Sequence, residues 1–242
     1  RRRRRGRGGR RRLRPAGRAV ETTDGRLFSA PAEPSAMDGA TFRERVVESK
    51  VPELNRLDSR ELLTALTAGD PTVRSVLEAA ADSEHAAHGT FSRWAEDEPN
   101  ERARETFAAV AEREADHRER VLDAMEREYE PNDGGMLHRY LRGRDGAVLR
   151  VAAGTIGRGL VADRTHSQVV SFFVDGGDTE HADLFRTLRA ETAAGTERGL
   201  KLLETLCNSG DDWGDARDVA EYTIQIAYDD YADTLAALGV DP

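Results

Sequence analysis

Residues 101–128 read ERARETFAAVAEREADHRERVLDAMERE, and this stretch decides the fold. Phe107, Val110, Glu114, His117 and Val121 recur at alternating spacings of three and four, the seam of a buried helix face. A carboxylate and an imidazole take two of those core positions. Placing a charge among apolar residues is costly unless a partner answers it, so Glu114 and His117 mark where chemistry is expected.

Working outward, the flanking sequence predicts more helices. Asp70-Pro71 opens a long one reaching about Glu96, with Leu77, Glu84 and Phe91 on its inner face, and Glu98-Pro99-Asn100 turns the chain into the quoted stretch. Pro131–Gly135 and a short helix at Met136–Leu141 lead to a third long helix over 147–174, with the stripe Leu149, Ala152, Ile156, Asp163, Val170 and Val174. Asp175-Gly176-Gly177-Asp178 breaks it. A fourth helix spans 179–207 with Leu184, Leu188, Glu191, Gly195 and Leu202 inward, and a fifth runs from about 213 to 238. Short helices are expected near 41–50 and 58–68. Nothing alternates with period two, so the class is all-α.

Two tight hairpins joined by a long connection describe a four-helix bundle with a crossover between helices 2 and 3. Glu84 precedes Glu114 by 30 residues and Asp163 precedes Glu191 by 28, each midway along its helix. Antiparallel packing can bring the four acids to one level.

Glu84, then Glu114-Ala115-Asp116-His117, then an acid in each of two later helices, resembles the rubrerythrin branch of the ferritin-like superfamily. The likeness covers about residues 71–207. It implies a ferritin-like bundle holding two iron ions (or manganese) and reducing peroxide or oxygen, or handling iron, with an electron donor that the motif does not identify. By that resemblance Glu114 and Glu191 bridge the ions, Glu84, His117 and Asp163 are terminal, and a homodimer is common. The chain departs from the pattern at three points. Ala194 stands where a second histidine is usual, Asp163 replaces a glutamate, and the single cysteine, Cys207, provides no rubredoxin-like cluster. His166, three residues after Asp163, is the candidate substitute ligand, and His88 is a second spare nitrogen. His85, His138 and His181 lack matching partners and are expected on solvated faces.

The charge divides sharply. Residues 1–36 carry twelve arginines against three acids, a net +9, so the chain's overall −9 leaves −18 from Met37 onward. The Arg-rich head, RRRRRGRGGRRRLR, lacks aromatic residues and periodicity and is expected to be a disordered tail or start-site artefact ahead of a helical domain at 37–242. Nucleic acid is disfavoured as a partner, because the acidic body repels phosphate. Lys50 and Lys201 are the only lysines, a composition resembling proteins adapted to molar, halophilic salt. No run approaches the ~20 apolar residues of a membrane span, and no signal-peptide pattern is present, so a cytoplasmic protein is expected. Gly154, Gly157 and Gly159 in GTIGRG follow no strand, which disfavours a dinucleotide loop and favours close helix contact. The alternative to the metal reading is a ferritin-like scaffold without metals, serving as a binding or structural module.

Overall fold

The computed structural model describes residues 37–125 and 128–241, and the Arg-rich head lies outside the described residues. Every regular element described is helical. Three short helices, α1 (Gly39–Ser49), α2 (Val51–Leu57) and α3 (Glu61–Leu66), precede the first long pair. That pair is α4 (Val73–Asp97) and α5 (Glu101–Asp123), followed by α6 (Met136–Arg142). Next come α7 (Ala147–Arg150), a π-helical segment (Val151–Gly157) and α8 (Arg158–Asp175), then α9 (Thr179–Leu206) and α10 (Gly210–Ala237). No helix among the described residues is long and apolar enough to cross a membrane.

Local chemistry explains the boundaries. The cap of α4 is Thr72, not the predicted Asp70. Its hydroxyl accepts from the Ser75 amide while the Ser75 side chain accepts from the Thr72 amide, so two orphan donors are satisfied reciprocally. Asn100 caps α5 through Ala103 as its position after Pro99 implies. That helix stops at Asp123, earlier than the expected end near 128. Ser209 and Asp212 form a second reciprocal cap that starts α10 three residues before the predicted position.

The helices α4 and α5 pack along one another, as do α8 and α9, while α10 lies across the π segment and touches α2, α3 and α6. Phe91, Trp94 and Phe107 are fully buried at one end of the core, with ring centroids 5.2 to 6.1 Å apart. Burying each contributes about 2–3 kcal/mol. Val76, Phe173 and Phe185 fill the other end.

The glycines of GTIGRG serve packing, as expected. A Cβ on Gly154 would strike the Trp94 ring, and one on Gly157 would lie 2.8 Å from the Ala220 carbonyl oxygen. One on Gly159 would collide with the Thr196 hydroxyl. The whole π segment is therefore buried on every side. Its wider turn also breaks the 3.6-residue phase that the sequence reading carried straight through 147–174. Beyond it the buried residues of α8 are Arg158, Gly159, Leu160, His166, Val169 and Phe173, whereas Val174 is exposed.

Candidate metal centre

The middle of the α4–α5 pair presents Glu84, Glu114 and His117 to the interior, all buried. One ligand atom from each lies within 4.8 Å of the others, the spacing of donors around one ion. His117 Nδ1 is 3.8 Å from Glu84 Oε2, and neither atom has a hydrogen-bond partner. Buried polar atoms are almost always paired, so two orphans facing one another call for an explanation. The other nitrogen is occupied: His117 Nε2 lies 2.7 Å from Glu191 Oε2. Donation to that carboxylate leaves the Nδ1 lone pair free, the arrangement found behind metal-bound histidines.

His166, from α8, reaches Glu84 Oε1 through Nε2 at 3.3 Å. It joins the cluster as a partner of Glu84, and its own Nδ1 is a further buried orphan. His88 points elsewhere, with Nδ1 3.0 Å from the Ala111 carbonyl.

Two expected ligands do not converge. Asp163 is paired outside the cluster, with Arg189 Nε at 2.7 Å and Arg164 Nη1 at 2.6 Å. The broken phase in the π segment removes it from the inner face. Glu191 sits behind His117 rather than among the ligands, its side chain 40% exposed and also held by Arg120. The buried face of α9 runs through Leu188, Thr192, Gly195 and Thr196, while Ala194 is exposed, so the expected Glu-x-x-His frame does not look inward.

Arginine takes the space those acids were assigned. Arg158, buried at the start of α8, places Nη2 3.0 Å from Glu114 Oε2 and 3.8 Å from Glu84 Oε2. Arg113 Nη2 lies 2.7 Å from Glu114 Oε1. Gly195 makes that possible, because a Cβ there would fall 2.9 Å from Arg113 Cζ. Both arginines were missed in the sequence. The one available signal was Arg158 between two glycines in a stretch otherwise apolar on all faces.

The electrostatics follow from these contacts. Burial pushes Glu84 up, but the neighbouring imidazoles of His117 and His166 outweigh it and hold the carboxyl well below its usual range. For Glu114 burial wins over Arg158, and with the Glu84 charge alongside its proton is held more tightly than usual. Burial opposes charge on His117, yet Glu84, Glu114 and Glu191 together raise its pKa. Burial and then Arg158 and Arg142 press His138 down to about 3, so this histidine is neutral and buried rather than solvated.

These three donors, two oxygens and a nitrogen, converge closely enough to hold one metal ion. The residues present do not fit a pair of ions. Among the described residues, α8 and α9 bring a guanidinium, an imidazole, a threonine and a glycine to the places where further carboxylates would stand. Comparison with protein families, with curated proteins and with solved structures gives no significant match.

Proposed function

We propose that this chain is a ferritin-like bundle of the rubrerythrin kind, reduced to a centre for one iron or manganese ion held by Glu84, Glu114 and His117. The observation that carries this reading is the pair of unpartnered buried atoms, Glu84 Oε2 and His117 Nδ1, facing one another beside Glu114. Such an ion supplies one-electron chemistry toward peroxide or oxygen. The protein's own residues do the rest. Glu191 holds the Nε2 proton of His117 and so aims the ring, and His166 orients Glu84. Arg158 adds a fixed positive charge in a water-poor interior, where it acts on any anion formed nearby more strongly than it would in water. An ion on Nδ1 would need that lone pair free, so binding would compete with protons for His117.

The test is metal content after anaerobic loading with iron or manganese, beside a Glu114→Ala/His117→Ala variant. One ion per chain, lost in the variant, supports the reading. Two ions per chain would restore the di-metal centre that the sequence resemblance implied.

A second reading is favoured by Arg158 itself. With Arg158 on one oxygen of Glu114 and Arg113 on the other, that buried acid already has its cations, and the bundle can serve as a metal-free binding module. No uptake on loading, and no change in melting temperature with excess manganese, would establish that alternative.

A further inference from the structure

A cavity of about 420 Å³ opens between α3, α4, α8 and α10, with apolar walls that include Leu62, Val76, Val161 and Val169. Its volume falls in the range of small-molecule sites. Several polar atoms on its walls can only accept. Thr67, Thr165 and Thr234 each spend their hydroxyl proton on a carbonyl of their own helix, leaving only lone pairs. Thr90 likewise donates to Ala86, so it accepts from His138 Nδ1 at 3.1 Å. That fixes the His138 proton on Nδ1 and leaves Nε2 as an acceptor.

Acidic groups add to this. Asp82 and Asp230 both line the cavity. Asp230 and His138 flank consecutive glycines: a Cβ on Gly135 would meet Asp230 Oδ2 at 3.7 Å, and one on Gly134 would meet His138 Cδ2 at 3.1 Å. Burial, then the neighbouring Asp233, hold Asp230 above the usual carboxylate value, and no cation among the described residues offsets them. Arg158 is the guanidinium on the wall, paired with Glu114 and lying 3.8 Å from Glu84. Burial, then Arg158 and Arg142, keep His138 neutral, so Asp230 supplies the negative charge for a cation. The acidic body adds a long-range preference for cations.

We propose that this cavity binds a small amphiphilic amine, its apolar body between the helices and its ammonium donating to Asp230 and to His138 Nε2. The cavity borders the candidate metal centre, since Glu84 and His166 also line it, but neither proposed acceptor is one of the three candidate ligands, and the test is made without metal.

Three naphthalene probes of one shape and different charge test it by calorimetry, using chelator-treated full chain in 1 M KCl: 1-naphthylmethylamine, 1-naphthalenemethanol and 1-naphthoate. The amine is expected to bind at least tenfold more tightly than the alcohol, and the carboxylate not to bind. Asp230→Asn should bring the amine to the level of the alcohol. Ala162→Trp, which fills the cavity, should abolish binding of both while melting cooperatively. Naphthoate binding as tightly as the amine, an unchanged amine-to-alcohol ratio in Asp230→Asn, or no binding of any probe would overturn the proposal.

Discussion

Arg158 Nη2 lies 3.0 Å from Glu114 Oε2 and 3.8 Å from Glu84 Oε2, so one guanidinium spans the two acids at the centre of the fold. In a dry interior two carboxylates from neighbouring helices repel, and a cation between them lets both helices keep their register. An arginine carries that cation in the chain itself. Its single charge answers only one of the two acids; Arg113 adds a second cation at Glu114, and His117 and His166 lie against Glu84.

Arg158→Met should accordingly destabilise the protein by about 3–5 kcal/mol, because the substitution leaves a buried charge without its partner. Adding Glu114→Gln should recover part of the loss, which a double-mutant cycle in urea would measure. If the one-ion reading holds, manganese should stabilise Arg158→Met more than the parent. Equal stability of parent and Arg158→Met would show that the pair contributes nothing.

Two glycines separate soft from hard crowding. A Cβ at Gly195 meets the flexible end of the Arg113 side chain, which can shift while still facing Glu114, so Gly195→Ala should cost about 1 kcal/mol. At Gly157 the neighbours are the Ala220 backbone and Thr223 Cβ, at 2.8 and 2.9 Å. Those atoms move only if α10 moves, and Gly157→Ala should cost about 2–3 kcal/mol. Comparing urea midpoints of the two variants checks the order, and the reverse order would contradict the packing described.

The first hairpin was legible in the sequence and the second only in part: Ala152, Ile156, Leu188, Gly195 and Leu202 are buried as expected, but Asp163 and Glu191 are not. In α4 and α5 the helix is regular, so Glu84, Glu114 and His117 could be placed inward by counting alone. In the third long helix the π segment interrupts that count, and Asp163 was assigned a face that belongs to His166 and Val169. Midway along α9, beside the cluster, the inner face is made of small residues, Thr192, Gly195 and Thr196, which carry little hydropathy signal. Glu191 and Ala194 were therefore read one step off the true seam. Partners such as Arg113 and Arg158 leave no periodic trace, because a buried arginine looks like a surface one until its acid is located.

His138 makes stability depend on acid. Its pKa is about 3 in the fold, against about 6.5 for an ordinary histidine, so the unfolded chain takes the proton first. The stabilisation is complete above pH 6.5 and is lost as pH falls from there toward 3, at up to about 1.4 kcal/mol per pH unit. His138→Gln should lose up to about 2 kcal/mol less than the parent between pH 6.5 and 5.0. Parallel pH profiles for parent and variant, read from urea unfolding, would contradict a neutral buried imidazole.

Salt should act in the opposite direction to its usual effect on ion pairs. The residues from Met37 onward carry −18, and their mutual repulsion reaches across the surface while the Debye length is about 10 Å at 0.1 M. At 1 M it shrinks to about 3 Å, which removes most of that repulsion. The same screening weakens exposed pairs such as Arg43–Glu197 and Arg60–Asp175, at 2.9 and 3.0 Å, but pairs of that kind contribute only about 0–1 kcal/mol each. The buried contacts of Arg158 and Arg150 are shielded from salt by the protein around them. Repulsion therefore dominates the salt response, and the melting temperature of the full chain should rise between 0.1 and 2 M KCl. A flat or falling melting curve across that range would mean that the surface pairs, not the excess of acid, set the electrostatic balance of the fold.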